Sequence, residues 1–138
     1  MIEKFNGIIY FIIFLIHFAG VGLYAYQLLG NTEKFREKFA IDVTATSTMR
    51  MLGGMLAGVF LMALYILFVR PNGVEGTWAF FNLVFVQNLC VLLANTYSVM
   101  IDKTGVKNNS IEAVIAPLIF TVLIAILIYG LSDKIYIY

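Results

Sequence analysis

One apolar run, Met51–Val69, constrains the fold more than any other stretch of this sequence. It holds 19 consecutive residues without a charge, and Arg50 and Arg70 stand directly at its two ends. A helix needs ~20 mostly apolar residues to cross a bilayer core of ~30 Å. The run is therefore predicted to be a transmembrane helix.

The rest of the chain has the same character. Of its 138 residues, 62% are hydrophobic and 12% are charged, against roughly 45–50% and ~25% in soluble proteins. A soluble domain this small could not bury so much apolar surface. We therefore predict a single all-α domain, residues 1–138, that forms a polytopic four-transmembrane-helix up-down bundle. The predicted helices cover about residues 7–29, 49–69, 77–101 and 113–131.

The longest hydrophilic connection follows the first helix. Its segment TEKFREKFA, residues 32–40, places Phe35 and Phe39 on one side of a helix and charged residues around the rest. This pattern is typical of a short helix that lies in the membrane interface. The alternative is a solvated loop, and the sequence leaves both open.

The connection after the second helix, Arg70-Pro71-Asn72-Gly73, carries proline and glycine, which end helices. Because it is short, the second and third helices are predicted to be antiparallel neighbours.

The basic residues indicate the orientation in the membrane. One membrane face carries six of them and the other carries three. The face with six is predicted to be the cytoplasmic one, in a bacterial inner membrane. The six are Lys34, Arg36, Lys38, Arg50, Lys103 and Lys107, and the three are Lys4, Arg70 and Lys134.

Small residues mark the predicted helix-packing positions. Gly54 and Gly58 are four residues apart on the second helix, Gly53 lies beside them, and Gly20 lies three residues after His17 on the first. Small residues at such spacing let helices approach closely in lipid. We therefore expect close helix contacts at all four glycines.

The third helix is the most polar span. Asn88, Asn95 and Asp102 recur every seven residues, so they share one face with a small drift. Asn88 and Asn95 either hold the bundle together by hydrogen bonds between helices or line a polar pocket. His17 is near the middle of the first span at about the depth of Asn88, and it is either a hydrogen-bonded core residue or a group that handles protons or a ligand.

Arg50 is predicted to reach the same membrane face as Asp102 and Glu112, because helix direction alternates along the chain. A guanidinium pairs well with either carboxylate, and such an ion pair would close one end of the bundle. The alternatives are an anion- or head-group-binding site at an unpaired Arg50, or an arginine that extends to the head groups.

Several functional classes lack their residues. The chain has one cysteine, Cys90, and one histidine, so it can form neither an internal disulfide nor a bis-histidine haem site. No HExxH or phosphate-binding glycine loop occurs. The net charge of +1 gives no field that would attract nucleic acid. We therefore expect no enzyme activity, no cofactor and no metal.

The run Arg50-Met-Leu-Gly53-Gly54-Met-Leu-Ala-Gly58 resembles a bacterial family of small four-helix membrane proteins, the DUF4345 family, with DoxX-like proteins as more distant relatives. That family tends to carry G-R-x-x-S-x-x-x-D at the end of its third helix. Here Ser98 and Asp102 match, while Ala94 and Asn95 replace the glycine and the arginine. The resemblance implies the fold more than an activity, and DoxX-like proteins suggest a role beside respiratory or redox complexes.

The leading hypothesis is a non-catalytic integral membrane protein that acts as a small accessory or assembly subunit, or that forms a homo-oligomer. Its partners would be the lipid bilayer and either other membrane subunits or further copies of itself. The second hypothesis is the binding or transport of a small amphiphile, a lipid or a quinone. Its cavity would be lined by Arg50, Asn88, Asn95 and His17.

Overall fold

The computed structural model describes residues 2–103 and 111–137, so Lys107 lies outside the described residues. Helices account for most of the described chain, and those residues contain no strand. The helices are α1 (Ile8–Leu29), α2 (Thr32–Lys38), α3 (Thr46–Leu64), α4 (Trp78–Thr96), α5 (Glu112–Gly130) and α6 (Ser132–Ile135). The predicted all-α class is confirmed.

Four of these helices are long and apolar enough to cross a membrane, which indicates an integral membrane protein. Wide π-type turns over Tyr65–Val69 and Tyr97–Asp102 lengthen α3 and α4. The second span also begins earlier than predicted. The Asp42 carboxylate accepts a hydrogen bond from the Thr44 backbone N–H at 2.9 Å and starts a short 3₁₀ turn that continues directly into α3.

Helix α1 lies between α3 and α5 and packs extensively on α3. Its buried side chains recur at spacings of three, four and seven residues, which places them on one face. That face is formed by Phe14, His17, Phe18, Val21, Ala25 and Leu28. Helix α4 in turn packs against α5, so the helices follow the spatial order α3–α1–α5–α4.

Two of the predicted glycines receive side chains from α1 or α5. A Cβ added at Gly53 would lie 2.8 Å from Leu28 Cβ, and one added at Gly20 would lie 2.6 Å from the Phe120 ring. Gly54 and Gly58 do not make the close helix contacts that were predicted for them, because a Cβ added at either would meet nothing within 4 Å among the described residues. These two glycines lie on the exposed side of α3, away from α1.

The backbones of the consecutive spans α3 and α4 approach one another less closely than those of the other neighbouring helices, although Ala63 of α3 and Phe81 of α4 belong to the same buried core. The segment that joins them is held by other parts of the chain. The Lys4 ammonium donates to the Pro71 carbonyl, and the Gly76 N–H donates to the Lys134 carbonyl at 3.0 Å. Val74, between these anchors, is fully buried. The connection is therefore spread over the end of the bundle instead of forming a tight turn.

The same contacts close that end of the bundle. Phe5, Leu131 and Ile135 are buried there beside Val74 and belong to one continuous apolar core. The Asn6 amide donates to the Gly130 carbonyl at 3.1 Å and also to the Asp133 carboxylate. The first and last described segments thus pack together across one mouth of the bundle.

Gly53 and Gly54 offer a matched test of helix packing. In Gly53→Ala the new methyl group overlaps Leu28, so we expect a loss of about 1–3 kcal/mol of stability. In Gly54→Ala the methyl group meets open space, and alanine favours the helix by up to about 1 kcal/mol. Thermal unfolding of the purified proteins in one mild detergent measures both. Equal midpoints for the two variants would contradict the described α1–α3 contact.

Candidate functional site

A cavity of about 340 Å³ lies among the helices at the end opposite the closed one. Helices α1 and α4 end here and α3 and α5 begin here, which is the convergence predicted from alternating helix direction. Most of its lining is apolar. The polar side chains in the lining are Tyr24, Gln87, Asn88, Asn95 and Glu112.

The short helix α2 covers the mouth of this cavity. The predicted helix over residues 32–40 forms over Thr32–Lys38, so the loop alternative is not what the structure contains. Phe35 and Phe39 line the cavity, with their ring centroids 4.7 Å apart. The Phe35 ring also meets the edge of Tyr24. The apolar side of α2 therefore faces the protein interior at the mouth.

A salt bridge joins α2 to the start of α5. The Lys38 ammonium lies 2.7 Å from a Glu112 carboxylate oxygen, and the two side chains are 55% and 44% exposed. Glu112 thus binds Lys38 and not Arg50, so the predicted Arg50–Glu112 pair is wrong. Arg50 is exposed on α3 outside the cavity lining, and Asp102 is exposed at the end of the extended α4. An exposed pair of this kind contributes at most ~1 kcal/mol, so its role at the mouth is chiefly positional.

Asn95 makes a hydrogen bond that is explained by Pro117 on the neighbouring helix α5. Its Nδ2 donates to the Ala113 carbonyl on α5 at 2.7 Å. That carbonyl would ordinarily accept from the N–H of residue 117, but Pro117 has none. Asn95 therefore supplies the donor that the proline lacks. The bond links α4 to α5, so Asn95 has the first of the two roles predicted for the asparagines, a hydrogen bond that holds the helices together.

Asn88 has no such bond. It lies seven residues before Asn95, about 10 Å deeper along α4. Its Nδ2 is buried and has no hydrogen-bond partner among the described residues. Asn88 nevertheless lines the cavity, beside Gln87 on the same helix. A buried donor of this kind calls for an explanation, because leaving it unpaired costs about 1–3 kcal/mol.

His17 is fully buried and lies outside the cavity lining. Neither ring nitrogen has a hydrogen-bond partner in the described part of the chain, so the first predicted alternative, a hydrogen-bonded core histidine, is not what the structure contains. The imidazole packs edge-on against Phe18 and Phe120, at centroid distances of 4.7 and 5.4 Å. It is part of the contact between α1 and α5.

The structure thus brings Asn88 and Asn95 together in one site but separates both from Arg50 and His17. Sequence reasoning missed Tyr24, Phe120 and the partnership of Lys38 with Glu112. One signal could have indicated the role of Asn95. A proline inside a transmembrane helix frees a carbonyl, and a polar side chain on a neighbouring helix is a ready donor for it.

Comparisons with known proteins add no identification. The chain matches no family model, no curated protein and no solved structure. The resemblance to the DUF4345 family and to DoxX-like proteins therefore stays a prediction.

The Asn95–Pro117 relationship can be tested with a double-mutant cycle. Asn95→Leu leaves the Ala113 carbonyl without a donor and is expected to lower stability by about 1–2 kcal/mol. Pro117→Ala restores an N–H to that carbonyl, so the same asparagine substitution should cost much less in that background. Unfolding midpoints of the four proteins give the coupling. Additive effects would show that Asn95 stabilises the bundle in another way.

Proposed function

We propose that this chain is an integral protein of a bacterial inner membrane that binds a small amphiphile in the cavity between α1, α3, α4 and α5. The observation that carries the proposal is the cavity itself, whose mostly apolar lining includes the polar side chains of Asn88 and Asn95. Binding sites for small molecules are mostly apolar, have a few well-placed polar groups and enclose about 300–1,000 Å³. The cavity, at about 340 Å³, falls within that range.

The surroundings of the cavity suit a ligand that arrives from the bilayer. Leu52 of α3 lines the cavity and is also exposed on the outside of the bundle. At Leu52 the wall of the cavity is therefore also part of the outer surface of the bundle, which faces lipid when the helices span a membrane. A polar end can therefore bind inside while an apolar chain remains in the membrane.

Filling the cavity tests this proposal. Ala116 lines the cavity on α5, and Ala94 is exposed on α4 in the same half of the bundle. We expect Ala116→Phe to lose most of any amphiphile that copurifies with the wild-type protein, because the ring occupies its space. Ala94→Phe adds the same ring outside and should leave retention unchanged. Mass spectrometry of organic extracts from the purified proteins measures retention.

A correctly folded Ala116→Phe protein with wild-type retention would contradict the proposal, and so would a wild-type protein that retains no amphiphile. If Ala116→Phe fails to fold, Ala113→Val places a smaller group in the same lining and takes its role. The unfolding midpoint of each variant separates loss of ligand from loss of structure.

A second candidate function, association with another membrane protein or with a further copy of this chain, is favoured by the exposed side of α3. Gly54 and Gly58 contact nothing within the chain, although the adjacent Gly53 is closely packed. Their small size therefore serves no described contact. Glycines four residues apart are typical of helix–helix interfaces in lipid. In this function the protein would be a non-catalytic accessory or assembly subunit.

For this second candidate, Gly54→Leu and Gly58→Leu are expected to lower the mass of the detergent-extracted assembly while leaving membrane insertion and the unfolding midpoint of the single chain intact. Ala94→Leu, which adds the same bulk on exposed α4, serves as the control. The native mass of each protein, extracted from its own membrane under gentle conditions, is the measurement. An unchanged mass in both glycine variants would rule out this face.

A further inference from the structure

We infer that a groove on the outer face of the bundle, between α4 and α5, binds one diacyl lipid of the bilayer by an ester carbonyl. The groove has a volume of about 350 Å³ and lies at the closed end. The cavity lies at the other end of the bundle, so the groove is a second site and does not depend on the function proposed for the cavity.

Helical spacing brings the lining of the groove together. Ala125 and Ile128 are three residues apart on α5, and Ser132 follows four residues later at the start of α6. Asn82 and Phe85 are three apart on the facing side of α4. Residues at these spacings share one side of a helix. The short side chain of Ala125 leaves room between the larger side chains of Phe85 and Ile128, and a groove along the helices results.

The groove is polar at its outer end and apolar deeper in. The Tyr136 hydroxyl donates to Asn82 Oδ1 at 3.0 Å, so the Nδ2 group of that amide is left to donate to a ligand. Asn82 is half-buried and Ser132 is exposed, so a ligand can reach both. About 10 Å deeper, seven residues before Ser132, the lining consists of the methyl group of Ala125.

The polar end lies at the depth where a bilayer changes from polar to apolar. Trp78 and Tyr129 are exposed at this end, and such aromatic residues are enriched at membrane–water interfaces. Asn82 lies four residues after Trp78, about 6 Å farther along α4. The hydrocarbon core of a bilayer begins just below the interfacial region, and the ester groups of a diacyl lipid lie at this boundary. Asn82 is therefore level with those ester groups.

The chemistry of the groove matches such a lipid. An ester carbonyl accepts hydrogen bonds and cannot donate them, and Asn82 Nδ2 is a donor. The acyl chain that continues from the ester is apolar, as are Phe85, Ala125 and Ile128 below. Helices α4 and α5 are both long and apolar enough to span a membrane, so the open side of the groove faces lipid. The carbonyl binds at Asn82 and the chain lies along the apolar part.

The test compares two lipids that differ only in the carbonyl oxygens. Dioleoyl phosphatidylglycerol carries two ester groups, and its dioleyl diether analogue has the same head and chain lengths without them. The full chain in mild detergent is titrated with each lipid, and native mass spectrometry counts the bound molecules. We expect half-occupancy of the first site at about fivefold lower concentration of the ester lipid, the effect of one hydrogen bond.

Two variants locate that preference. Asn82→Leu removes the donor, so the ester and ether lipids should bind equally. Ala94→Leu adds the same side chain on exposed α4 at the other end of the bundle and should leave the preference unchanged. If Asn82→Leu fails to fold, Asn82→Asp takes its place, because it keeps an acceptor for the Tyr136 hydroxyl and removes the amide donors.

Filling each site separates the groove from the cavity. Ala125→Phe should weaken binding of both lipids at the first site, whereas Ala116→Phe, which fills the cavity, should leave it unchanged. Equal binding of the two lipids by the wild-type protein would overturn the inference, and so would a preference that survives loss of the Asn82 donor. A preference abolished by Ala116→Phe alone would assign it to the cavity. A smaller native assembly in Ala125→Phe would show that another protein chain occupies the groove, which would also overturn the inference.

Discussion

The position of α1 between α3 and α5 determines the rest of this structure. Lipid chains are as apolar as leucine, so helices in a bilayer are held together mainly by close packing. Gly53 admits Leu28 on one side of α1, and Gly20 admits Phe120 on the other. Because α1 lies between them, α3 and α5 are fixed through it. Helix α4 then packs on α5, and the backbones of α3 and α4 are spaced more widely than those of the other neighbouring helices.

This wider spacing has different consequences at the two ends of the bundle. At one end the space is filled by buried side chains from the first and last described segments, Phe5, Leu131 and Ile135 among them. Lys4 and Asn6 add hydrogen bonds there that span the helix ends. At the other end, within residues 2–103 and 111–137, the seven-residue helix α2 covers the opening. The cavity therefore lies where the described helices leave space between them.

The four spans could be predicted from the sequence because length and hydropathy decide them within the segment itself. The contacts of Gly20 and Gly53 could be anticipated for a similar reason, since small residues identify close approach. The sequence could not show which glycines face the protein. Gly53 and Gly54 are adjacent, and one helical step of about 100° separates a packed side from an open one.

Partners of polar residues were harder to predict, because they depend on where α2 lies. The sequence predicted Arg50 as the partner of Asp102 or Glu112. Lys38 binds Glu112 instead, because α2 packs Phe35 and Phe39 over the mouth. Once the rings are inside, Lys38 is carried to the start of α5. An apolar contact thus selects an ion pair that contributes little energy of its own.

Asn88 and Asn95 show how one type of residue has two different roles at two depths of the same helix. Asn95 lies opposite the turn of α5 where Pro117 frees a carbonyl, so its amide completes the bundle. Asn88 lies two turns deeper, where α5 continues as a regular helix whose carbonyls accept from their own N–H groups. A donor at that depth has nothing left on the neighbouring backbone to bind. Within an apolar span, a buried donor that has no partner lowers stability.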